Sequence, residues 1–435
     1  MDCVAANILP NRGQAAGLHT LSGDVPVSET AAMPRNARPA TVDMAPATIG
    51  ERIDSVDILR GIAVLGILLV NMGSYAGYRV PFDNMAWVDR STTVAIRFVA
   101  QGKFYPLFAF LFGWGMAIQI VRASSRQVNF VPFFLRRMAA LLLIGLVHAV
   151  LVWHGDILIT YALLGFPLLL FRNASDRTLW IVFGICLAIP VLISLPGPAE
   201  DFRTAYFGAF SGLLDSMVQG KQAGVFVAGS YGDAVQQRIA FLRYNYSASL
   251  YWITPVFGMM LLGLLVGRRG LLRTGDGQQA LLRRIAIVTL VIGLPLNALW
   301  VWQSVTSGIT GPWQEVAMRG ARTVGGVSLS IFLVAALTLL AQRAAWREHM
   351  GGLAAVGRMA LSNYLLQSLV FTLIFYGYGL GVYGQAGPFL TLLLSLLFFR
   401  LQIWMSNWWL ARFRFGPAEW LWRCMTYGKL QPLRV

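Results

Sequence analysis

The stretch RIDSVDILRGIAVLGILLVNM, residues 52–72, holds four charged residues in its first nine positions and none thereafter. The uncharged run extends from Gly61 to Tyr78. About 20 mostly apolar residues form a helix long enough to cross roughly 30 Å of hydrocarbon. The stretch therefore predicts a membrane-spanning helix with Asp57 and Arg60 at its entrance.

The composition of the whole chain favours the same class of protein. Of the 435 residues, 57% are apolar and only 12% are charged, with a mean hydropathy of +0.61. A soluble chain of this length needs more charge to cover its surface. We therefore predict an all-α fold, a polytopic membrane helix bundle that contacts the lipid bilayer.

Ten segments are long and apolar enough to be predicted spans. The uncharged stretch from Met359 to Phe399 counts as two of them, because GYGLGVYGQAGP interrupts it. The ten predicted spans cover residues 57–77, 101–121, 134–153, 156–172, 178–196, 247–267, 285–304, 323–342, 355–376 and 388–411.

The connections define the predicted domain organisation. Residues 1–50 lack the apolar core of a secretory signal and are rich in Ala, Pro and Thr, which predicts a disordered cytoplasmic tail. Residues 51–196 and 247–435 each hold five spans. An outer, periplasmic loop over 197–246 separates them, and its stretch YGDAVQQRIAFLRY predicts a helix that lies on the interface.

The distribution of basic residues predicts the orientation. With both termini in the cytoplasm, the inner segments hold 23 of the 35 basic residues and the outer segments hold 9. This asymmetry follows the positive-inside rule and predicts a bacterial inner-membrane protein with both termini inside. The net charge of +16 thus reports topology, and no nucleic-acid partner is predicted.

Charged or strongly polar residues inside a membrane are costly, so each is a candidate functional residue. Asp57 and Arg60 are three apart on one helical face, and they are interpreted both as a local ion pair and as an anion-binding entrance. Asn71 lies about 16 Å further along the helix and is either an interhelical hydrogen-bonding group or part of a reaction centre. Lys103 at the next span is either a snorkelling side chain or a substrate contact.

The stretch HAVLVWHGDILITYALLG, residues 148–165, contains the sharpest cluster. The turn between two predicted spans is short, so His148, His154 and Asp156 are expected to gather at the outer face. A carboxylate beside an imidazole fixes its tautomer and raises its basicity, as general-base catalysis requires. The alternative is that Asp156 caps the following helix and His154 is solvated.

Later spans add further candidates. In GRMALSNYLLQSLV, residues 357–370, the spacing of Asn363 and Gln367 marks an interior helix face and a candidate substrate-binding surface, and Arg358 and Ser362 form a second polar pair. Arg400 lies near the middle of the last span and requires a partner or a wet cavity. No cofactor motif, nucleotide-binding loop or metal-ligand spacing is present in the sequence, so neither a cofactor nor a metal is predicted.

These residues resemble a known family. The stretches RIDSVDILRGIAVLGILLVN, GKFYPLFAFLFGWGMAI, HGDILITYALLG, YGDAVQQRIAFL, GRMALSNYLLQS and GPAEWLWRCMTYGK are similar to the YeiB-like bacterial inner-membrane proteins, which carry a C-terminal domain of unknown function. The resemblance covers nearly the whole chain after residue 50.

The first two stretches also resemble, more distantly, the acyltransferase-3 proteins and the heparan-alpha-glucosaminide N-acetyltransferases. That resemblance implies acyl-CoA as a co-substrate, with Arg60 at the donor and Asn71 at the reaction centre. Those families place a histidine at the position of Asn71 or in the first outer loop, where this chain has none. An acyltransferase must therefore use His148 or His154, and the alternative is that the chemistry has been lost.

Two functional hypotheses follow. The first is an acyltransferase-like protein that acts on an envelope sugar or lipid, with His148 as base, Asp156 as its orienting group, and donor or substrate contacts from Arg60, Asp57, Lys103, His154, Asn363, Gln367 and Arg400. The second is a secondary transporter of a small molecule, for which polar residues in spans and helix-breaking prolines are typical. A scaffold without chemistry is the third alternative.

Overall fold

The structure is a computed structural model that describes residues 54–197, 201–202, 205, 221–247, 250–272, 276–306 and 311–435. The predicted disorder of residues 1–50 lies outside the described residues. In the described ranges the chain forms helices joined by turns, and no β-strand is present among them. The predicted all-α class is therefore confirmed.

The helices follow one another with short connections. In chain order the described α-helices are α1 (Asp54–Ala76), α2 (Trp87–Val99), α3 (Phe104–Ser125), α4 (Phe130–Val147), α5 (Leu158–Leu168), α6 (Asp176–Leu192), α7 (Lys221–Ala228), α8 (Tyr231–Ser247), α9 (Leu250–Arg268), α10 (Asp276–Thr306), α11 (Pro312–Ala341), α12 (Ala344–His349), α13 (Gly351–Arg358), α14 (Ala360–Phe375), α15 (Pro388–Leu410) and α16 (Pro417–Tyr427).

Seven of the described helices are long and apolar enough to cross a membrane, or eight if the bent pair α13 and α14 forms one span. The protein is therefore a polytopic membrane helix bundle. The two remaining predicted spans, 156–172 and 178–196, correspond to shorter helices, the apolar segment Leu158–Asn173 and α6. The count of ten spans and the cytoplasmic position of both termini stay predictions.

The ninth predicted span is not one continuous helix. α13 and α14 meet at Met359 at an angle of 81°. The predicted pairing of Arg358 with Ser362 across one helical turn is therefore wrong, because these residues lie on different helices. Ser362 instead hydrogen-bonds to Glu419.

Glycines bring two central helices into backbone contact. A Cβ atom on Gly113 of α3 would overlap the carbonyl oxygen of Met260 on α9, and one on Gly263 would overlap that of Phe110. In lipid, where hydrophobic driving force between helices is weak, such small residues allow close van der Waals packing. α3 and α9 thereby form the centre of the bundle.

The entrance of α1 is held in the same way. A Cβ on Gly61 would overlap the carbonyl oxygen of Leu353, and one on Gly357 would overlap that of Asp57. α1 and α13 therefore cross closely beside Arg60. This crossing fixes the position of the Arg60 side chain at one end of the bundle.

The stretch predicted to form an interfacial helix, with an apolar stripe of Val235, Ile239 and Leu242 on one side, is helical as α8, and its position at the interface stays a prediction. Its packing differs from that stripe. Ala234 and Arg238 are fully buried, whereas Ile239 is exposed. The buried side is thus set by Arg238, which donates to the carbonyl oxygen of Leu151 at 2.8 Å and to the hydroxyl of Tyr378 at 2.6 Å. Hydrogen bonding to specific acceptors allows this arginine to be buried in place of the apolar stripe.

Candidate active site

The structure brings His148 and Asp156 together. α4 ends at Val147, a π-helical turn covers His148–Val152, and α5 begins at Leu158. The Nδ1 atom of His148 lies 2.7 Å from Oδ2 of Asp156, and the two side chains are 2% and 0% exposed. The second carboxylate oxygen accepts the backbone N–H of Ile159 at 2.7 Å. Asp156 therefore caps α5 and orients the imidazole at once, with a different oxygen for each.

The other ring nitrogen of His148 has no such partner. Its Nε2 atom is buried, and no hydrogen-bonding group among the described residues contacts it. In the neutral tautomer that donates its Nδ1 proton to Asp156, Nε2 carries the lone pair that a general base requires. The His148 ring packs against Tyr364, with ring centroids 5.2 Å apart.

One cavity opens near the start of α1, and we call it the Arg60 cavity. Its volume is about 240 Å³. Four arginines with one glutamate form most of its polar lining, and leucines and valine form much of its apolar lining. The polar residues are Arg60, Gln119, Arg137, Arg358, Glu419 and Arg423, and the apolar ones include Val64, Leu111, Leu141, Leu158 and Leu361.

A second, larger cavity of about 530 Å³ lies toward the other end of α1, and we call it the Arg322 cavity. Polar groups and aromatic rings both line the Arg322 cavity. Its lining includes Asn71, Gln101, Tyr105, Asn245, Tyr251, Trp252, Trp300, Arg319, Arg322 and Thr323. The guanidinium carbon of Arg322 lies 5.6 Å from the Trp300 ring centroid, and that of Arg319 lies 3.5 Å from the Tyr251 ring centroid.

The two cavities share part of their walls. Ile67, Ile157 and Tyr364 line both of them. These three side chains, which we call the partition, separate the Arg60 cavity from the Arg322 cavity. The His148–Asp156 pair packs against the Tyr364 side of the partition.

The first predicted pair is placed at the Arg60 cavity. Nη1 of Arg60 lies 3.0 Å from Oδ1 of Asp57, which is the ion pair expected from their spacing. The Arg60 side chain remains 35% exposed and also lines the cavity. Both interpretations of the pair are thus compatible with its geometry.

Glu419, a residue that sequence analysis did not single out, lies in the same cavity. Its carboxylate accepts the backbone N–H of Leu361 at 2.7 Å and bonds to Ser362, so it caps the N-terminus of α14 just after the bend. Burial raises the pKa of this carboxyl. A negatively charged group complements the positive end of a helix. The only indication in the sequence that Glu419 matters was its position in the C-terminal stretch GPAEWLWRCMTYGK.

Lys103 is buried and hydrogen-bonded to the surrounding chain. It is 2% exposed, and its Nζ atom donates to the carbonyl oxygens of Arg97 and Gln101 and to Oδ1 of Asn297, at 3.3, 2.9 and 2.9 Å. These three bonds use all three donors of the ammonium group. Lys103 thus joins α2, α3 and α10. The snorkelling interpretation does not fit this burial, and the substrate contact stays a prediction.

His154 does not join His148 and Asp156. It is 8% exposed and lies among aromatic rings, with Phe241 and Phe226 at centroid distances of 4.1 and 5.8 Å. Burial, and then the nearby charge of Arg238, lowers the pKa of His154 to about 3. The solvated position considered in the sequence is therefore wrong, because the ring is neutral and enclosed.

Asn363 and Gln367 form interhelical hydrogen bonds and are not part of the described lining of the Arg60 cavity or the Arg322 cavity. Asn363 donates to Oγ of Ser406 at 3.0 Å, and Gln367 donates to Oε1 of Gln402 at 2.8 Å. They mark an interior face, as expected, and their hydrogen bonds join α14 to α15, while their predicted part in substrate binding stays a prediction. Arg400 lies on the exposed side of α15, away from these residues, and lines neither cavity.

Several contributors to the site were missed in the sequence. Tyr364 lies in the GRMALSNYLLQS motif between Asn363 and Gln367. Nothing in the sequence indicates that its aromatic ring lies between two cavities. Arg322 was counted only as a basic residue of an outer segment. Among the described residues, no group of three histidine, cysteine, aspartate or glutamate side chains is placed to hold a metal ion.

The helical bundle and the cavities within it define the class of this protein, a polytopic membrane protein with internal cavities and a buried His148–Asp156 pair. The family described as "Protein of unknown function (DUF418)" matches residues 266–429, which include α10 to α16. The uncharacterised protein YxaH of Bacillus subtilis (strain 168) is 36% identical over 409 residues, covering 89% of this chain and 97% of YxaH.

The uncharacterised protein YeiB of Escherichia coli (strain K12) is 29% identical over 403 residues, which cover 88% of this chain and 98% of YeiB. An uncharacterised 39.9 kDa protein of Bacillus acidopullulyticus is 29% identical over 400 residues, or 90% of this chain. The chain therefore belongs to the YeiB-like family, as its motifs predicted.

Proposed function

We propose that this protein is an acyltransferase of the bacterial inner membrane that moves an acyl group from acyl-CoA to a hydroxyl group of an envelope sugar or lipid. The observation that carries the proposal is the position of the His148–Asp156 pair. A buried imidazole with a free Nε2 packs on the partition between one cavity lined by arginines and a second lined by aromatic and amide groups.

The Arg60 cavity fits the donor. Arginine recognises phosphate groups through charge-assisted and bidentate hydrogen bonds, and four arginines line this cavity. Leucine, valine and phenylalanine side chains form much of its apolar wall, which also includes Tyr364, and this wall suits an acyl chain. The Arg60 cavity thus matches an amphiphile with a phosphorylated head and an acyl group that points toward His148.

The Arg322 cavity fits the acceptor. Its aromatic rings offer apolar faces, and its amide and hydroxyl groups offer a small number of orienting hydrogen bonds, a combination typical of small-molecule sites. Asn71 lines this cavity next to the partition. Its amide N–H is suited to stabilise the oxyanion of a tetrahedral intermediate.

The proposed reaction needs only proton transfer by the protein. Nε2 of His148 accepts the proton of the acceptor hydroxyl while the oxygen attacks the thioester carbonyl. The C–S bond then breaks, and the imidazolium returns the proton to the departing thiolate. Asp156 holds the Nδ1 proton and stabilises the transient imidazolium. Tyr364 must rotate so that donor and acceptor meet.

The test of the chemistry is transfer of label from [¹⁴C]acetyl-CoA to material in membrane vesicles that contain the protein. We expect transfer by the wild type and by His349→Gln, a matched control at an exposed histidine, and loss of transfer in His148→Gln. Equal transfer by His148→Gln and wild type would overturn the assignment of the base.

Donor binding is tested separately. Acetyl-CoA or CoA should raise the melting temperature of the detergent-purified protein in a saturable manner, because a ligand that prefers the folded state stabilises it. The rise should be reduced in Arg60→Ala and retained in Arg400→Ala, an exposed arginine outside both cavities. A flat response of the folded wild type contradicts the donor assignment.

One observation favours a secondary transporter as the second candidate. The 81° bend between α13 and α14 lies beside the partition, and broken helices beside a central barrier are typical of alternating-access proteins. A transporter requires reciprocal access. In a background with serine at Cys3, Cys186 and Cys424, single cysteines at Asn71 and Gly115 should then change their labelling by an impermeant thiol reagent in opposite directions when a proton gradient is imposed. Labelling that ignores the gradient favours the enzyme.

A further inference from the structure

A third cavity, separate from the partition, lies beneath α7 and α8, and we call it the His154 pocket. Its volume is about 250 Å³. Phe226, Phe241 and Tyr383 form aromatic walls, and Gly73 with Arg79 lies on its more exposed side. Neither the donor nor the acceptor of the proposed reaction uses this space.

Two buried nitrogen atoms in the wall lack partners. Nδ1 of His154, a residue that is 8% exposed, has no hydrogen-bonding group within reach among the described residues, and the same holds for Nε2 of Gln237. Buried polar atoms in native proteins are nearly always satisfied, so each orphan requires an explanation. The amide nitrogen is a donor, and Nδ1 is a donor in the tautomer that carries its proton there. A ligand with acceptor atoms would satisfy both.

The charge around the pocket has one sign. Arg79 lines the pocket, and the His154 ring is also close enough to Arg238 for the positive charge of that residue to act on it. The described lining contains no aspartate or glutamate side chain. A neutral or cationic ligand would leave this positive potential uncompensated, whereas an anion would be attracted to it.

The space in front of Gly73 is open. A Cβ atom built on this residue meets no other atom within 4 Å, although Gly73 lies within a helix of the bundle. The pocket can therefore be filled by a side chain from α1 without a clash at its first atom. This gives a direct way to block the pocket while leaving its polar groups in place.

We propose that the His154 pocket is a binding site for a small oxyanion, a carboxylate or a phosphate group, held by His154, Gln237 and Arg79. Its aromatic walls exclude water from the bound oxygens, which strengthens their hydrogen bonds. The site is distinct from the His148–Asp156 pair, since the His154 ring points away into the Phe226 and Phe241 cluster.

The test compares thermal unfolding of detergent-purified variants in rising sodium acetate and, separately, sodium phosphate. The wild type should show a saturable rise in melting temperature with at least one of the two anions. Gly73→Leu should lose this rise. Gly184→Leu, whose Cβ also meets nothing within 4 Å but which lies outside the pocket, should keep it. General effects of salt are the same for all three proteins and cancel in the comparison.

His154→Phe and Gln237→Leu provide a second pair of variants in case Gly73→Leu does not fold. Each preserves much of the shape of the wall and removes one orphan nitrogen, so each should weaken the response. Response to acetate alone identifies a carboxylate site, and response to phosphate alone identifies a phosphate site. No response to either anion, or an equal response in wild type and Gly73→Leu, overturns the proposal. Acyl transfer does not enter this measurement, so its result is independent of the proposed function.

Discussion

Two buried basic side chains, Lys103 and His148, differ in how much of their hydrogen-bonding capacity the surrounding chain uses. Lys103 donates to three oxygen atoms, and its three donors are all engaged. His148 bonds to Asp156 through Nδ1, but its Nε2 has no partner among the described residues. Both side chains are about 2% exposed, so burial alone does not distinguish them.

This difference in hydrogen bonding distinguishes buried polar side chains with a structural role from those that are candidates for catalysis or binding. A fully bonded polar side chain is explained by the helices it joins, because its removal would leave oxygens unsatisfied. A buried nitrogen without a partner contributes no such bond and is explained by something that binds there transiently. By this criterion we assign Lys103 to the scaffold and His148 to the proposed site.

The largest effect on stability is expected from Asp156→Ala. This change removes the acceptor of His148 and the cap of α5 together. Loss of one partner of a buried pair costs about 3–5 kcal/mol. Denaturant titration in mixed micelles should show this loss, and Asp156→Asn should lose less, because its amide oxygen can still accept the N–H of Ile159. An unchanged unfolding midpoint for Asp156→Ala would show that the His148–Asp156 pair does not form in the folded protein.

Lys103→Met should be the next most destabilising change. A hydrogen bond to a charged group contributes about 1.5–3 kcal/mol, and the carbonyl and amide acceptors left behind are buried. We expect a loss of about 2–3 kcal/mol in the same titration, with acyl transfer per folded molecule equal to that of wild type. His148→Gln should show the opposite pattern, in which transfer is lost and stability falls less. Loss of transfer in folded Lys103→Met would place Lys103 in the site.

His154 extends the comparison to pH. Its pKa is about 3 in the folded protein, because of burial and Arg238, and about 6.5 in an unfolded chain. Between these values the unfolded state binds the extra proton, so stability is complete above pH 6.5 and falls as the pH is lowered. The loss from pH 8 to pH 5 should be about 2 kcal/mol. His154→Phe should lack this component, and identical pH profiles for the two proteins would contradict the burial of His154.

The local part of the site was predictable from the sequence. The membrane class follows from uncharged runs such as Gly61 to Tyr78, and the Asp57–Arg60 ion pair follows from helical spacing. The short turn between two spans was sufficient to predict that His148 and Asp156 meet. In each case the residues are close in sequence, so their geometry depends on one helix or one turn.

Contacts between distant segments were not predictable. Ser362 binds Glu419, which is 57 residues away, and the bend at Met359 places it there. Arg238 lies in the outer segment predicted to form an interfacial helix, yet it is buried because acceptors from Leu151 and Tyr378 converge on it. Arg400 has the residue type of a buried functional group but faces outward on α15. Which side of a helix is buried depends on neighbours that periodicity does not specify.

The smallest effect is expected where two polar side chains satisfy each other. Gln367 donates to Gln402, and Gln402 donates to the carbonyl oxygen of Asn363. Hydrogen bonds between membrane helices average about 0.6 kcal/mol in double-mutant cycles and reach about 1.7 kcal/mol. Gln367→Leu should therefore cost about 1 kcal/mol, with acyl transfer retained.

The double variant Gln367→Leu with Gln402→Leu distinguishes a structural pair from a binding surface. If the two amides bond mainly to each other, each single variant leaves one buried amide unpaired, whereas the double variant leaves neither. The double variant should then lose less stability than the sum of the two single losses. Strict additivity in a denaturant titration would show that the amides have independent partners, and loss of transfer in the folded double variant would return this face of α14 to the site. A coupled pair with intact transfer would place Gln367 beside Lys103 as part of the scaffold, in contrast to His148, whose Nε2 has no hydrogen-bonding partner among the described residues.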